Sequence, residues 1–275
     1  MALEAKNICR LLKCTLAMKK RTILSWYVIN ALPGIFDFIG MQMYKLKSRP
    51  FSHPIWEDRA LLDLITHNFQ DYEKPKLLDI GCGEGTLAII FALLGADVEA
   101  IDISHRRLAM AMAKKRALGL QNVSFRLLDI TKHLPYSNEH FDIALLYHVY
   151  EHLPNRLQVL SRIHQILRTD GKLVIAVPLV TSLKKKIAKA GICYFSDSTH
   201  EIEFTPKMLF SELHATKFSI RRKYLYGFDP LIQKLFTPLF AVFPQEVAKI
   251  NRAMEEKLEP ANIICIAEPV YGTIT

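Results

Sequence analysis

The chain lacks the features that mark several common classes of protein. Its 275 residues contain no internal repeat, no low-complexity segment and no cluster of cysteines and histidines with the spacing of zinc ligands. The five cysteines are odd in number and show no paired spacing, so we expect reduced thiols in a cytosolic compartment. These absences exclude a repeat protein and a disulfide framework, and they predict that the chain holds no metal.

The chain also lacks an uninterrupted apolar run long enough to cross a membrane as a helix. Its most apolar stretch, residues 22–43, follows a basic cluster at residues 19–21 and is interrupted by Asn30, Pro33, Gly34 and Asp37. A spanning helix needs about 20 predominantly apolar residues. We therefore predict that residues 1–56 form a helical cap, and the alternative is a segment that lies in a membrane interface.

The formal net charge of +9 is not accompanied by a nucleic-acid-binding motif. Basic residues cluster at 19–21, 45–49, 184–186 and 221–223, but no RNA-binding module or interleaved aromatic motif goes with them. Such clusters are ordinarily solvated surface, so we expect no nucleic acid as partner. An acidic membrane surface remains the alternative.

What the chain does contain is a strand, a glycine turn, a helix, a second strand and an acid, in that order. Residues 76–80 are apolar apart from Asp79, which predicts a strand covered on both faces of a parallel sheet. Gly81, Gly83 and Gly85 follow directly and let the backbone approach a ligand closely. The segment therefore predicts a nucleoside-binding crevice.

The residues after the glycine turn predict a helix over 86–94 and a second buried strand over 97–101. That strand ends at Asp102, whose carboxylate can accept both hydroxyls of a ribose. Three interpretations of the turn compete: a purely structural turn, a dinucleotide site and another nucleoside site. The spacing disfavours a dinucleotide, because Thr86 occupies the last glycine position of that fingerprint while Gly85 comes one residue early.

The motif Asp-x-Gly-x-Gly-x-Gly, which begins at Asp79, resembles the first motif of class I S-adenosylmethionine-dependent methyltransferases. Three further blocks follow in the order of that family: Asp129-Ile130 after a strand predicted over 123–128, Phe-Asp…Glu-His-Leu-Pro over 141–154, and a helix, a glycine turn and the fifth strand up to residue 178. Four blocks in the right order are far more specific than any one of them.

The resemblance implies an α/β fold with a doubly wound, Rossmann-like, mostly parallel seven-stranded sheet. We predict the last two strands over 218–226 and 262–267. Apolar residues at helical spacing predict a helical insertion over 228–260, before the last strand. In this division the N-terminal cap, residues 1–56, precedes a methyltransferase domain over residues 57–275.

The resemblance also implies S-adenosylmethionine as the cofactor and assigns its contacts residue by residue. Asp79 provides a negative charge for the ammonium group, whether directly, through water or by holding the loop. Asp102 holds the ribose, Asp129 meets the adenine amino group and Ile130 packs on the ring. The complete predicted set is Asp79, Gly81, Cys82, Gly83, Gly85, Asp102, Ile103, Asp129, Ile130 and Tyr147, in which Cys82 is a small filler rather than a nucleophile.

The residues after the fourth strand, where the acceptor pocket of the family opens, are the candidates for catalysis. His148, Glu151 and His152 lie there, and a histidine has a pKa suited to proton transfer near neutrality. Glu151 and His152 belong to the general pattern of the family, so a structural role is the alternative for both. His148 departs from that pattern and ranks first.

The segment from His200 to Pro206 resembles a His…Phe-Thr-Pro segment of the family that lies beside the acceptor pocket. His200 and Glu203 are therefore candidate substrate contacts, with a surface turn as the alternative. Thr205 is predicted to cap a helix that begins at Pro206.

We therefore predict an enzyme that transfers a methyl group from S-adenosylmethionine to a small acceptor. The two apolar additions favour a hydrophobic or lipid-like acceptor, a contact with the inner face of a membrane, or a homo-oligomer interface. Residues 44–56, with Arg49 and His53, are expected to form a lid. Two alternatives stay open: a non-catalytic cofactor-binding protein that docks on a membrane or partner, and a nicotinamide-dependent oxidoreductase.

Overall fold

A computed structural model of the chain describes residues 72–181, 199–226 and 261–271. The predicted cap, the lid, the helical insertion and the proposed domain boundary after residue 56 all lie outside these ranges. Among the residues that are described, no helix is long and apolar enough to cross a membrane.

Seven strands form one sheet in the order β3-β2-β1-β4-β5-β7-β6. Their bounds are β1 Lys76–Ile80, β2 Asp97–Asp102, β3 Val123–Leu127, β4 Phe141–Tyr147, β5 Leu167–Pro178, β6 Phe218–Tyr226 and β7 Asn262–Pro269. β2 runs parallel to both β1 and β3, whereas β7 runs antiparallel to both β5 and β6. The predicted doubly wound, mostly parallel seven-stranded sheet is thus confirmed.

Four helices and one short 3-10 turn accompany the strands in the described ranges. They are α1 Thr86–Leu93, α2 His105–Leu118, the 3-10 turn Tyr150–His152, α3 Arg156–Ile166 and α4 Pro206–Ala215. The start of α4 is as the sequence predicts, because the Thr205 hydroxyl accepts the Met208 N–H at 3.3 Å and Pro206 is the first helical residue.

The described residues belong to two compact units, divided between Leu145 and Leu146. In the first unit, β1 and β2 are buried because their apolar side chains are covered on both faces. Its largest fully buried residues include Leu77, Leu78, Ile80, Phe91 and Ile101. Each such side chain contributes roughly 1.5–3 kcal/mol to folding by leaving water.

The core of the second unit lies between β5, β7 and the helices around them. Ile175 and Val177 on β5 and Ile263 on β7 are all completely buried. Tyr150 of the 3-10 turn stacks on Phe204, with ring centroids 5.4 Å apart, and both residues are fully buried. This stack anchors the turn that carries two of the predicted catalytic residues.

The glycine turn predicted before the fifth strand is present at Gly171, although β5 already begins at Leu167, directly after α3. A Cβ atom on Gly171 would lie 2.9 Å from the carbonyl oxygen of Arg168, three residues earlier in the chain. A fully extended chain would separate two such residues by roughly 10 Å, so the backbone turns between them. The ladder with β7 begins only after this turn, at Leu173.

Candidate functional site

The glycine turn after β1 is held against the end of β2. The N–H groups of Gly81 and Cys82 both donate to the carbonyl oxygen of Ile101, at 2.8 and 3.0 Å. Gly81, Gly83 and Gly85 have φ angles of 69°, 55° and 74°, a left-handed conformation that glycine adopts at little cost. The chain can therefore reverse from strand to helix within five residues of tightly curved backbone.

Two of these glycines are required for different reasons. A Cβ atom on Gly85 would lie 2.7 Å from the Phe125 ring and 2.8 Å from the Ala111 side chain, so α1 can pack there only if residue 85 has no side chain. A Cβ atom on Gly83 would find nothing closer than Arg107, at 3.9 Å. Gly83 is thus needed for its backbone conformation, and Gly85 for its conformation and for packing.

Asp79 belongs to β1, and its buried side chain lies beside the start of α1 and caps that helix. Its Oδ2 accepts the N–H of Ala88 at 3.1 Å, and Gly85 at the N-cap position has no side chain to do so. Burial raises the pKa of Asp79 to about 7; the Ala88 hydrogen bond opposes this rise, and the nearby charge of Asp102 adds to it. A cationic group such as an ammonium would favour the ionised carboxylate.

Asp102 ends β2 and holds the loops on either side of it. Its Oδ2 accepts the Gly83 N–H at 2.7 Å, and its Oδ1 accepts the Ser104 N–H at 2.8 Å. Each carboxylate oxygen can accept two hydrogen bonds, so both can also receive a ribose hydroxyl. The neighbouring Ile103 is 70% exposed, which leaves an apolar side chain in solvent beside this carboxylate.

Asp129 follows β3 and is engaged locally. Its Oδ1 accepts both the N–H and the hydroxyl of Thr131, at 3.0 and 2.6 Å, and its Oδ2 lies 3.4 Å from Lys132 Nζ. The Thr131 hydroxyl is the main cause that lowers the pKa of Asp129. Ile130 is largely buried in the core. Contacts of these two residues with adenine stay a prediction.

Cys82 lies within the glycine turn and is only partly exposed. Burial raises the pKa of its thiol, and the negative charges of Asp79 and Asp102 raise it further. Because a thiolate is the nucleophilic form of cysteine, this environment opposes a nucleophilic role. The interpretation of Cys82 as a small filler fits these surroundings.

The second unit contains the three predicted catalytic residues, and both histidines lie near one carboxylate oxygen of Glu151. Oε1 of Glu151 lies 3.5 Å from Nδ1 of His148 and 4.0 Å from Nε2 of His152. His148 has a φ of 54°, which is uncommon outside glycine, and its N–H donates to Ala176 at 3.0 Å. Tyr147, the one predicted cofactor residue in this unit, meets the His148 ring edge to face at 4.9 Å.

The loop after β5 adds residues that the sequence did not connect with this turn. Nδ1 of His152 lies 3.1 Å from the carbonyl oxygen and 2.9 Å from the hydroxyl of Thr199. The His152 and His200 rings meet edge to face at 4.7 Å. Glu203 lies exposed on the surface, and its contact with a substrate stays a prediction. The sequence carried no signal for Thr199.

Sequence reasoning also missed a polar network that supports the same turn. The Tyr150 hydroxyl donates to Glu212 Oε2 at 2.7 Å, and the Arg156 guanidinium donates to the same carboxylate, its shortest contact being 2.7 Å. Burial and the Glu212 charge raise the pKa of Tyr150, so its hydroxyl remains a donor. The network ties α4 to the 3-10 turn and to the start of α3.

Comparison with known proteins identifies the class. The family model described as "Methyltransferase domain" matches residues 72–225, which is more than half of the chain. The chain therefore belongs to this family, and its fold and motifs are those of class I S-adenosylmethionine-dependent methyltransferases. The predicted family is confirmed.

Two curated relatives illustrate the likeness in sequence. The methyltransferase GfsG of Streptomyces halstedii is 36% identical over 126 residues, which cover 44% of this chain and 45% of that protein. A ubiquinone biosynthesis O-methyltransferase of Rickettsia canadensis is 29% identical over 125 residues, which cover 46% of this chain and 51% of that protein. The chain thus spans about half the length of these relatives.

Solved structures show the same fold at lower identity. An S-adenosylmethionine-dependent methyltransferase of Archaeoglobus fulgidus has a TM-score of 0.52 at 20% identity and covers 83% of this chain and 98% of that one. The [4+2]-cyclase SpnF has a TM-score of 0.53 at 22% identity and covers 72% of this chain and 76% of that one. At this identity the likeness concerns the fold alone, which hosts more than one reaction.

Proposed function

We propose that this protein transfers a methyl group from S-adenosylmethionine to a hydroxyl oxygen of a small, hydrophobic acceptor. The observation that carries the proposal is the pair of buried carboxylates beside the glycine turn, Asp79 at the end of β1 and Asp102 at the end of β2. One is suited to a cationic amino group and the other to a pair of hydroxyls, as a nucleoside with an amino-acid tail requires.

The residues of the chain bind and orient more than they react. When bound, S-adenosylmethionine would supply a methyl group that its sulfonium charge has already activated; its sulfur would leave as a neutral thioether, and the acceptor hydroxyl would lose its proton to His148 or to water. Asp102 then positions the ribose and Asp79 the ammonium group, so that most of the rate comes from holding donor and acceptor in line. The role of His148 on the acceptor side stays a prediction and is tested by turnover.

An oxygen acceptor of apolar character is supported by the relatives. Seven of the relatives compared carry the name ubiquinone biosynthesis O-methyltransferase, at 25–32% identity. The apolar residues of the sequence within 22–43 and 228–260 also favour an apolar acceptor. The identity of that acceptor is part of the proposal.

The same stretches lead us to propose a peripheral contact with a membrane that holds the acceptor. Liposome flotation with neutral and with anionic vesicles tests this point. We expect flotation with anionic vesicles, because the chain has a net charge of +9. Absence of flotation with both kinds of vesicle contradicts the contact and leaves the methyl transfer untouched.

The experiment that tests the function has two stages. Isothermal calorimetry measures the affinity for S-adenosylmethionine, with NAD as the comparison ligand. Methyl-labelled cofactor is then incubated with fractionated lipid and metabolite extracts, and mass spectrometry identifies the labelled product. We expect a methyl ether in an apolar fraction. Cofactor binding without transfer to any fraction contradicts the proposal and favours a non-catalytic cofactor-binding protein.

A further inference from the structure

Three ligand-type side chains of the second unit lie together around the 3-10 turn. Glu151 and His152 belong to the turn itself, and His200 comes from the loop after β5. One carboxylate oxygen of Glu151 and one ring nitrogen of each histidine all lie within 4.8 Å of one another. Although the sequence predicts no metal, we propose that Glu151, His152 and His200 bind a divalent transition-metal ion.

Two further contacts hold the loop of His200 against the turn. The N–H of Glu201 donates to the carbonyl oxygen of Glu151 at 2.9 Å, and Thr199 contacts the His152 ring. The residues on both sides of His200 are therefore attached to the residues that carry the other two ligands. These hydrogen bonds place the three side chains next to one another without a bound ion.

The contacts of His152 are compatible with the tautomer that a metal ligand needs. Its Nδ1 lies 3.1 Å from the carbonyl oxygen of Thr199, which can only accept a hydrogen bond, and 2.9 Å from the Thr199 hydroxyl, which can accept or donate one. In the tautomer whose Nδ1 donates to this carbonyl oxygen, Nε2 keeps a lone pair for the ion. A backbone carbonyl that fixes a histidine in this way is the usual outer partner of a metal-bound imidazole.

Glu151 has the burial and the unmet hydrogen-bonding capacity expected of a ligand. Its side chain is only 1% exposed, and its Oε2 has no hydrogen-bond partner in the described part of the chain. Oε1 lies 3.5 Å from Nδ1 of His148 and 4.0 Å from Nε2 of His152. A cation bound to Glu151 would balance its charge and engage its free oxygen, because buried carboxylates are ordinarily paired or bound to a metal.

The donor set indicates the kind of ion. Two imidazoles and one carboxylate suit zinc, cobalt, nickel, manganese or iron in the divalent state. Ligand atoms about 2.1 Å from such an ion lie about 3.4 Å from one another, so small side-chain rotations close the observed cluster onto it. Three protein ligands leave a coordination position free for water or for the acceptor hydroxyl; this last role rests on the proposed function.

Metal binding is tested on the untagged full-length protein after treatment with a chelator, without cofactor or acceptor. Calorimetry with zinc and visible absorption with cobalt measure affinity, stoichiometry and coordination. We expect one ion per chain at this cluster and a cobalt spectrum of nitrogen and oxygen ligands. Glu151→Gln, which keeps the shape of the buried side chain, and His200→Ala should each weaken binding by at least about 100-fold.

The matched control is His214→Ala, which removes an exposed histidine of α4 and should leave the affinity unchanged. Circular dichroism verifies that each variant is folded. Wild-type protein that binds neither zinc nor cobalt, or folded variants that bind as tightly as wild type, overturns the proposal. Because the assay contains no cofactor, its failure leaves methyl transfer standing, and a failed methyl transfer leaves the metal site standing.

Discussion

The carboxylate of Asp79 accepts the backbone N–H of Ala88 at 3.1 Å and so caps the helix that follows the glycine turn. An acid on a strand thus does what the N-cap residue of that helix, a glycine, cannot do. The residue that the family resemblance assigns to the cofactor's ammonium group also organises the turn, so its charge state affects both stability and binding.

We predict that Asp79 makes stability depend on pH between about 4 and 7. Its folded pKa of about 7 lies above the ordinary value of 3.8. The folded state is therefore most stable below the unfolded pKa, and this stability is lost as the pH rises through the folded pKa. Each pKa unit corresponds to about 1.4 kcal/mol. Thermal melts of cofactor-free protein should show Asp79→Asn gaining stability relative to wild type as the pH rises from 4 to 8.

Asp97→Asn is the control for this pH series, because Asp97 is an exposed acid at the start of β2. Its melting temperature should follow that of the wild type at every pH. An Asp79→Asn variant whose difference from wild type is the same at pH 4 and pH 8 would show that Asp79 has an ordinary pKa in the folded protein.

We predict that Asp102→Ala weakens binding of S-adenosylmethionine by about 10- to 100-fold. A hydrogen bond to a charged acceptor contributes roughly 1.5–3 kcal/mol, and this variant also removes the carboxylate that accepts the Gly83 and Ser104 N–H groups. Calorimetry measures the affinity, and Glu99→Gln on the same strand is the control. Unchanged affinity in Asp102→Ala would mean that the end of β2 does not hold the ribose.

We predict that Gly85→Ala destabilises the protein more than Gly83→Ala does. Both substitutions place a side chain at positive φ, which costs about 1–2 kcal/mol, but only the Cβ of residue 85 meets the Phe125 ring, at 2.7 Å. Urea unfolding of the two variants gives the comparison. Phe125→Leu should restore part of the stability in the Gly85→Ala background, and equal losses in the two single variants would contradict the packing argument.

We predict that His148→Ala lowers turnover without weakening cofactor binding. The side chain contacts Glu151 in the second unit, and its backbone has a φ of 54°. His148→Asn is the matched variant, because asparagine tolerates this conformation and removes the imidazole alone. Loss of turnover in both variants, with unchanged calorimetric affinity for the cofactor, fits the prediction. Unchanged turnover with the true acceptor removes His148 from the catalytic residues.

The features that the sequence predicted well rest on short-range signals. The apolar run of β1 matches its predicted bounds at Lys76–Ile80, and Thr205 with Pro206 starts α4 as expected. Both signals act within a few residues, through burial of a strand and through capping of a helix. The glycine turn at Gly171 rests on a signal of the same kind, and Arg168, three residues earlier, lies as close to it as a turn requires.

The sequence by itself determined the family, the order of strands and helices in the methyltransferase fold, and the residues around the glycine turn. These follow from motifs whose members are close together in the chain. Only the tertiary structure decided that His200 and Thr199 meet Glu151 and His152, and that Asp79 caps α1. Such contacts join separate segments, and folding alone brings their side chains within bonding distance.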